Sequence, residues 1–149
     1  MFVCECNIIS KLNIKQGVKM PKINRYVDID TVEREARKDY IDRHSPFITA
    51  ATTAKQNAPF KVTVKVGNAY THPDDFDHYI ANVQLFNGEV LLARADFVAG
   101  TLGGQDKKGQ AEVTFTIVPS GKKLSLVAQS YCTKHGVWES EPVEVSVEE

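Results

Sequence analysis

Residues 60–66 read FKVTVKV, and apolar and polar side chains alternate through all seven positions. A period of two sends every second side chain to one face, which suits a half-buried strand and cannot suit a helix. Further strand-like runs follow in YIANVQLF (79–86), EVLLARADF (89–97), AEVTFTIV (111–118), KLSLVAQSY (123–131) and PVEVSVEE (142–149). Asn87-Gly88, a strong hairpin signal, separates the first of these from the second, and Pro119-Ser120-Gly121 marks a further turn. Short strands joined by turns in this number predict an all-β fold, an immunoglobulin-like antiparallel β-sandwich.

The region ahead of Phe60 is different. DIDTVEREARKDYI (28–41) predicts a short helix of about three turns, capped by Asp30 or Thr31, with Glu33 and Glu35 in its first turn. Pro46 closes this arm. Met20 opens MPKINRYVDID in the manner of a start, and residues 1–19 look unlike the rest of the chain. The expected organisation is an extension or mis-assigned start over 1–19, an arm with a short helix over 20–43, and the sandwich domain over 44–149.

A chain of 149 residues can bury one core without staples. Its formal charge of -1 comes from interspersed acids and bases, which argues against a nucleic-acid or membrane-surface binder. No apolar run approaches the roughly 18 residues of a membrane span, and the N-terminus lacks the pattern of a signal peptide. Three cysteines, two of them nearly adjacent, do not make a disulfide framework; a reducing cytoplasm is the expected compartment.

The chain's four histidines all fall at element ends or in loops, where a sandwich gathers functional groups. His44 follows the helical arm in DRHSPFI. His72 and His78 bracket HPDDFDH, and His135 lies three residues after Cys132 in YCTKHGVWE. Any one of them alone reads as a surface or hydrogen-bonded residue. Together with Cys132 they leave three chemistries open. A cysteine nucleophile with a histidine base would leave three imidazoles without a role. Structural zinc takes four ligands and favours several thiolates, whereas five candidates are present. Nitrogen-rich ligation with one soft sulfur suits iron or copper. Copper of the blue type often adds a methionine, and the only methionines are Met1 and Met20.

The motifs RHSPFI, THPDDFDHYI and YCTKHGVWE, in that order, resemble the superoxide reductases, the neelaredoxin and desulfoferrodoxin family, from about Asp42 to Trp138. The resemblance implies an immunoglobulin-like sandwich holding one mononuclear non-haem iron per chain. It places His44, His72, His78 and His135 in a plane around the iron and Cys132 on the axis, with the sixth position open. The implied reaction is one-electron reduction of superoxide to hydrogen peroxide, with electrons from a donor such as rubredoxin and with a dimer or tetramer as the assembly. The alternatives are a sandwich that binds zinc for stability and an iron electron-transfer protein without an open position.

Many relatives carry Glu-Lys directly before the first ligand histidine; this chain has Asp42 and Arg43 there. Aspartate is shorter by about 1.5 Å, so Asp42 reaches the iron only if its loop moves. Arg43 keeps the positive charge and cannot donate a proton, which leaves it attraction and water ordering. Lys134, between Cys132 and His135, adds to the same positive rim. These three are the candidate catalytic residues. Backbone N–H groups near Cys132 are expected to tune the sulfur, and Trp138 is expected to pack in the core. Some relatives bind a second iron through four N-terminal cysteines; Cys4 and Cys6 alone, spaced C-x-C, imply a single-iron chain. GTLGGQDKKGQ (100–110) lacks the ending of a phosphate loop and reads as a connection between strands.

Overall fold

The computed structural model describes residues 21–104 and 109–149. The expected 1–19 extension, with Cys4 and Cys6, lies outside the described residues. In chain order the elements are β1 (Ile23–Arg25), a 3-10 turn (Ile29–Thr31), α1 (Glu35–His44), β2 (Pro46–Thr49), β3 (Thr53–Lys55), β4 (Phe60–Val66), β5 (Ile80–Asn87), β6 (Val90–Asp96), β7 (Glu112–Ile117), β8 (Lys123–Cys132), β9 (Gly136–Glu139) and β10 (Val143–Glu148).

β8 is the spine of the larger sheet. One edge pairs with β5, which pairs in turn with β6. The other edge is divided: Lys123–Leu126 pair with β10 and Gln129–Cys132 with β9. All these pairings are antiparallel, and the expected antiparallel sandwich holds. Two short strands extend the sheet in parallel, β1 on β9 and β3 on β10. The smaller sheet is β2-β4-β7, antiparallel throughout.

The period of two builds the core. In β4 Val62, Val64 and Val66 point inward while Lys61 is exposed. Val83 and Leu85 of β5 and Val145 of β10 meet them from the larger sheet. The inward row of β8 runs Leu124, Leu126, Ala128, Ser130, Cys132. The alternation that fills the core therefore delivers the cysteine, at the strand's last position, to the interior with 0% of its surface exposed.

The helix begins later than its sequence predicts. Asp28, Asp30 and Thr31 serve the 3-10 turn, where the Asp28 carboxylate accepts from the Asp30 amide at 3.0 Å. α1 starts at Glu35 with Arg34 as a cap that makes no side-chain bond. A capping side chain fits any turn with free amides, so the sequence signal marked a turn but not this helix. Pro46 opens β2 rather than only closing the arm. The Asn87-Gly88 hairpin forms, with Gly88 at φ 58° as its first central residue. The Asn87 side chain instead accepts from the Ser125 amide at 2.9 Å. Pro119-Ser120-Gly121 does not close a hairpin: β7 and β8 lie in different sheets, and the turn carries the chain between them. No helix among the described residues is long and apolar enough to cross a membrane.

Candidate metal centre

The four histidines reach the same point from three pieces of backbone. His44 is the last residue of α1, where the final carbonyls have no helical partner. Its carbonyl instead accepts the buried Ser130 hydroxyl from β8 at 2.6 Å. The next residue, Ser45, is fixed by a bond from its own hydroxyl to the Ile41 carbonyl at 2.6 Å.

The segment from Gly67 to His72 is anchored by Asp42. One carboxylate oxygen accepts the amides of Asn68, Ala69 and Tyr70, each at 2.9 Å. Gly67 lies at φ +79°, and a Cβ there would stand 2.4 Å from the Tyr70 carbonyl oxygen, so only glycine fits the turn. A second buried carboxylate, Asp74, accepts the amides of Gly100, Leu102 and Gly104 and pins the following loop.

His78 is held by a two-bond bridge to Asp75, 3.0 and 3.1 Å long. It stands two residues before Ile80, which pairs with Cys132 across an irregular step in the β5–β8 ladder. His135 sits in the β8–β9 turn. There the amides of Lys134 and His135 hydrogen-bond to the Cys132 sulfur, as the sequence led one to expect of backbone N–H groups.

The four imidazoles form a closed ring. Neighbouring centroids are 4.8 Å apart for His44–His72, 4.7 Å for His72–His78, 4.9 Å for His78–His135 and 4.8 Å for His135–His44. The planes of successive rings are 73° to 78° apart, so each turns its edge to the next. The cross-ring pair His44 and His78 is separated by 6.3 Å.

Hydrogen bonds select which nitrogen faces inward. His44 Nδ1 meets the Tyr40 carbonyl and His72 Nδ1 the Pro73 carbonyl, both at 2.6 Å, which leaves Nε2 toward the centre. His135 turns Nδ1 inward, 3.0 Å from His44 Nε2 and 3.7 Å from the Cys132 sulfur. His72 Nε2 lies 3.2 Å from that sulfur. His78 Nε2 is buried with no hydrogen-bond partner among the described residues.

An ordinary polar cluster would satisfy that last nitrogen, because an unpaired buried group costs about 1–3 kcal/mol. A metal satisfies it. Two nitrogens about 2.1 Å from one ion and at right angles are about 3.0 Å apart, and a nitrogen and a thiolate about 3.1 Å apart. The His44–His135 and His72–Cys132 separations of 3.0 and 3.2 Å match those spacings. The inward atoms of His44, His78, Cys132 and His135 all lie within 4.8 Å of one another. The donor set fits a metal.

Burial and the neighbouring imidazoles disfavour the charged forms of His44, His72 and His78. Desolvation lowers His44 to about 4 and His72 to about 3, against the helping bonds to the Tyr40 and Pro73 carbonyls. His78 is lowered as well, by burial first and then by His135 and Lys134. Burial pushes the Cys132 thiol up, while the two amides and the Lys134 charge pull it back toward the thiolate.

One side of the ring is open. A pocket of about 220 Å³ lies between Ala36, Asp39, Tyr40 and Arg43 of α1 and the imidazoles of His44, His78 and His135. Cys132 is absent from its lining. A larger hollow of about 520 Å³, between β1 and α1, holds none of the five donors.

The sequence-predicted residues therefore divide. His44, His72, His78, Cys132 and His135 converge. Asp42 does not line the pocket; it is 1% exposed and occupied by three amides. Arg43 lines the pocket but is bound through Nε and Nη2 to both oxygens of Asp39. Lys134 pairs with Asp77 at 3.2 Å on the surface, outside the lining. Trp138 is buried as expected, yet it packs on the site itself, stacked on His44. Asp39 was not singled out by the sequence. Its signal is its position, four residues before Arg43 and on the same helix face.

The chain matches the desulfoferrodoxin family over residues 33–141. A superoxide reductase from Thermococcus kodakarensis is 33% identical over 106 residues, which cover 67% of this chain and 85% of the relative. One from Pyrococcus furiosus is 28% identical over 110 residues, 67% of this chain and 86% of that protein. The solved structure of the superoxide reductase (neelaredoxin) from Ignicoccus hospitalis superposes with a TM-score of 0.64 at 29% identity, covering 85% of this chain and 95% of that one. A strand framework, an imidazole ring with a buried cysteine sulfur, and a match across the segment that carries all five converging residues lead to one assignment: the chain belongs to the desulfoferrodoxin family.

Proposed function

We propose that the chain is a superoxide reductase with one iron held by His44, His72, His78, His135 and Cys132. The observation that carries this reading is an imidazole ring in contact with a fully buried sulfur and bordered by an open pocket that the sulfur does not line. Bound iron supplies the single electron that, with two protons, turns superoxide into hydrogen peroxide.

The protein's part is electrostatic and steric. Neutral imidazoles leave a metal's positive charge uncancelled, which draws a small anion into the pocket. The Cys132 thiolate is the one anionic donor, and its two amide hydrogen bonds set how much electron density it gives. Arg43 stands at the mouth as a fixed cation and orders water there. It cannot give up a proton, so both protons come from solvent.

An external one-electron donor is required at each turnover, and rubredoxin is the kind of carrier proposed. A homodimer or tetramer is proposed on the family resemblance, and the cytoplasm on the odd number of cysteines.

The test is the visible spectrum of anaerobically prepared, iron-loaded protein before and after mild oxidation, with superoxide consumption measured on the same sample. Oxidation is expected to raise a broad red-region band that Cys132→Ser lacks. A colourless protein after verified iron loading overturns the reading in favour of structural zinc. The band without superoxide consumption favours an electron-transfer protein.

A further inference from the structure

We infer that Asp39 sets the charge of the pocket mouth by holding Arg43 in an ion pair, and so controls which anions reach the metal centre and how fast. The inference rests on the reductase reading for the identity of the natural anion, not for the existence of the pair.

Among the described residues, Asp39 and Arg43 are the only formally charged ones lining the pocket over the imidazoles. They stand at i and i+4 on α1, and both side chains are partly sheltered, with 27% and 30% of their surface exposed. Two contacts join the guanidinium to the two carboxylate oxygens, a fork geometry that fixes both groups. Ala36, one turn before Tyr40, is too small to cover the pair. Glu35 does not compete for Arg43, because its carboxylate takes the Tyr70 hydroxyl.

The consequence differs from a bare arginine at the mouth. A paired Arg43 offers donors directed by Asp39, and the mouth as a whole is neutral. Asp39 is thus a positioning residue for Arg43. It limits the attraction that an unpaired guanidinium would exert on every passing anion. Asp42, beside Arg43 in sequence, has no share in this because its carboxylate is engaged with the 68–70 amides.

The test uses azide, a small monoanion, titrated into oxidised, iron-loaded protein and followed by its visible spectrum. One unit charge at this range changes affinity roughly fivefold in a half-solvated site. Asp39→Asn is expected to tighten azide binding about fivefold, and Arg43→Gln to weaken it by a similar factor. The double variant returns near the native value, and Asp39→Glu retains it. A second readout needs no iron: the Arg43 Nε–H, observed by NMR in the metal-free protein, exchanges slowly with solvent when paired and faster in Asp39→Asn. Melting curves show whether each variant is folded.

Azide affinity unchanged or weakened in Asp39→Asn, or no azide response in any variant, overturns the inference, as does rapid Arg43 Nε–H exchange in the native protein. These outcomes are separate from the reductase reading. A protein that consumes superoxide but is indifferent to Asp39 loses the ion-pair role alone. One whose azide affinity follows the charges but which leaves superoxide untouched loses the activity alone.

Discussion

Trp138 lies face to face with the imidazole of His44, with ring centroids 5.1 Å apart and planes 18° from parallel. The same indole donates its Nε1–H to the His135 carbonyl at 3.2 Å. One side chain thereby braces two donors that are 91 residues apart in sequence.

Trp138→Phe keeps an aromatic face and loses the hydrogen bond, so unfolding free energy is expected to fall by about 1 kcal/mol. Trp138→Ala also empties the wall and is expected to cost about 3–5 kcal/mol. Urea unfolding measures both, and chelator competition should show weaker metal retention in the alanine variant. If both variants lose stability equally, the stacking role is wrong.

Asp42 has a testable role distinct from the one its sequence position implies. Asp42→Ala leaves the 68–70 amides without their acceptor and is expected to destabilise the protein by about 3 kcal/mol, with Asp42→Asn milder at about 1–2 kcal/mol. Small-anion affinity at the pocket should be unchanged in the folded Asp42→Asn protein. An altered azide affinity there would return Asp42 to the mouth of the site.

Gly67→Ala forces a Cβ against the Tyr70 carbonyl oxygen at a positive φ. The expected cost is about 3 kcal/mol, with His72 displaced and metal affinity reduced. Thermal unfolding with and without metal checks this; a native melting temperature contradicts the close approach.

The metal-free protein should lose stability on acidification. His44 and His72 protonate near 6.5 when unfolded but only near 4 and 3 when folded. Below pH 6.5 the unfolded chain binds more protons, so each imidazole removes stability as pH falls, and the loss levels off once the folded values are passed. The slope is about 1.4 kcal/mol per pH unit for each group inside that window. Melting temperatures from about pH 7.5 to about pH 5 should drop accordingly, and a flat profile would mean that the imidazoles are not desolvated.

Most of the sandwich was legible because a buried strand must alternate. β4, β5, β8 and β10 each bury residues on one face, β7 half-buries one, and much of this patterning is visible in the letters. β1 and β3, three residues each, and β2 and β9, four each, are too short for a period to register. β1 and β3 depend wholly on the strands beside them. The five candidate donors were legible through their motifs, and the structure brings them together. The carboxylates were not, because a carboxylate's role depends on which amides or cations surround it. The amides that claim Asp42 come 26 to 28 residues later, and Asp39 meets the pocket only through the phase of the helix.

The candidate donors come from a helix end, one loop, a strand end and the hairpin turn that follows it, and this has a consequence for folding order. Before the two sheets close, the chain offers an ion only local fragments, such as Cys132 with His135 or His72 with His78. The full set requires the span between His44 and His135 to be closed first, at an entropic cost that grows with loop length. An ion held by all five then acts as a cross-link on a topology already complete. Metal uptake in a refolding experiment should therefore trail sheet formation, and a chain that retains its ion should have α1 docked.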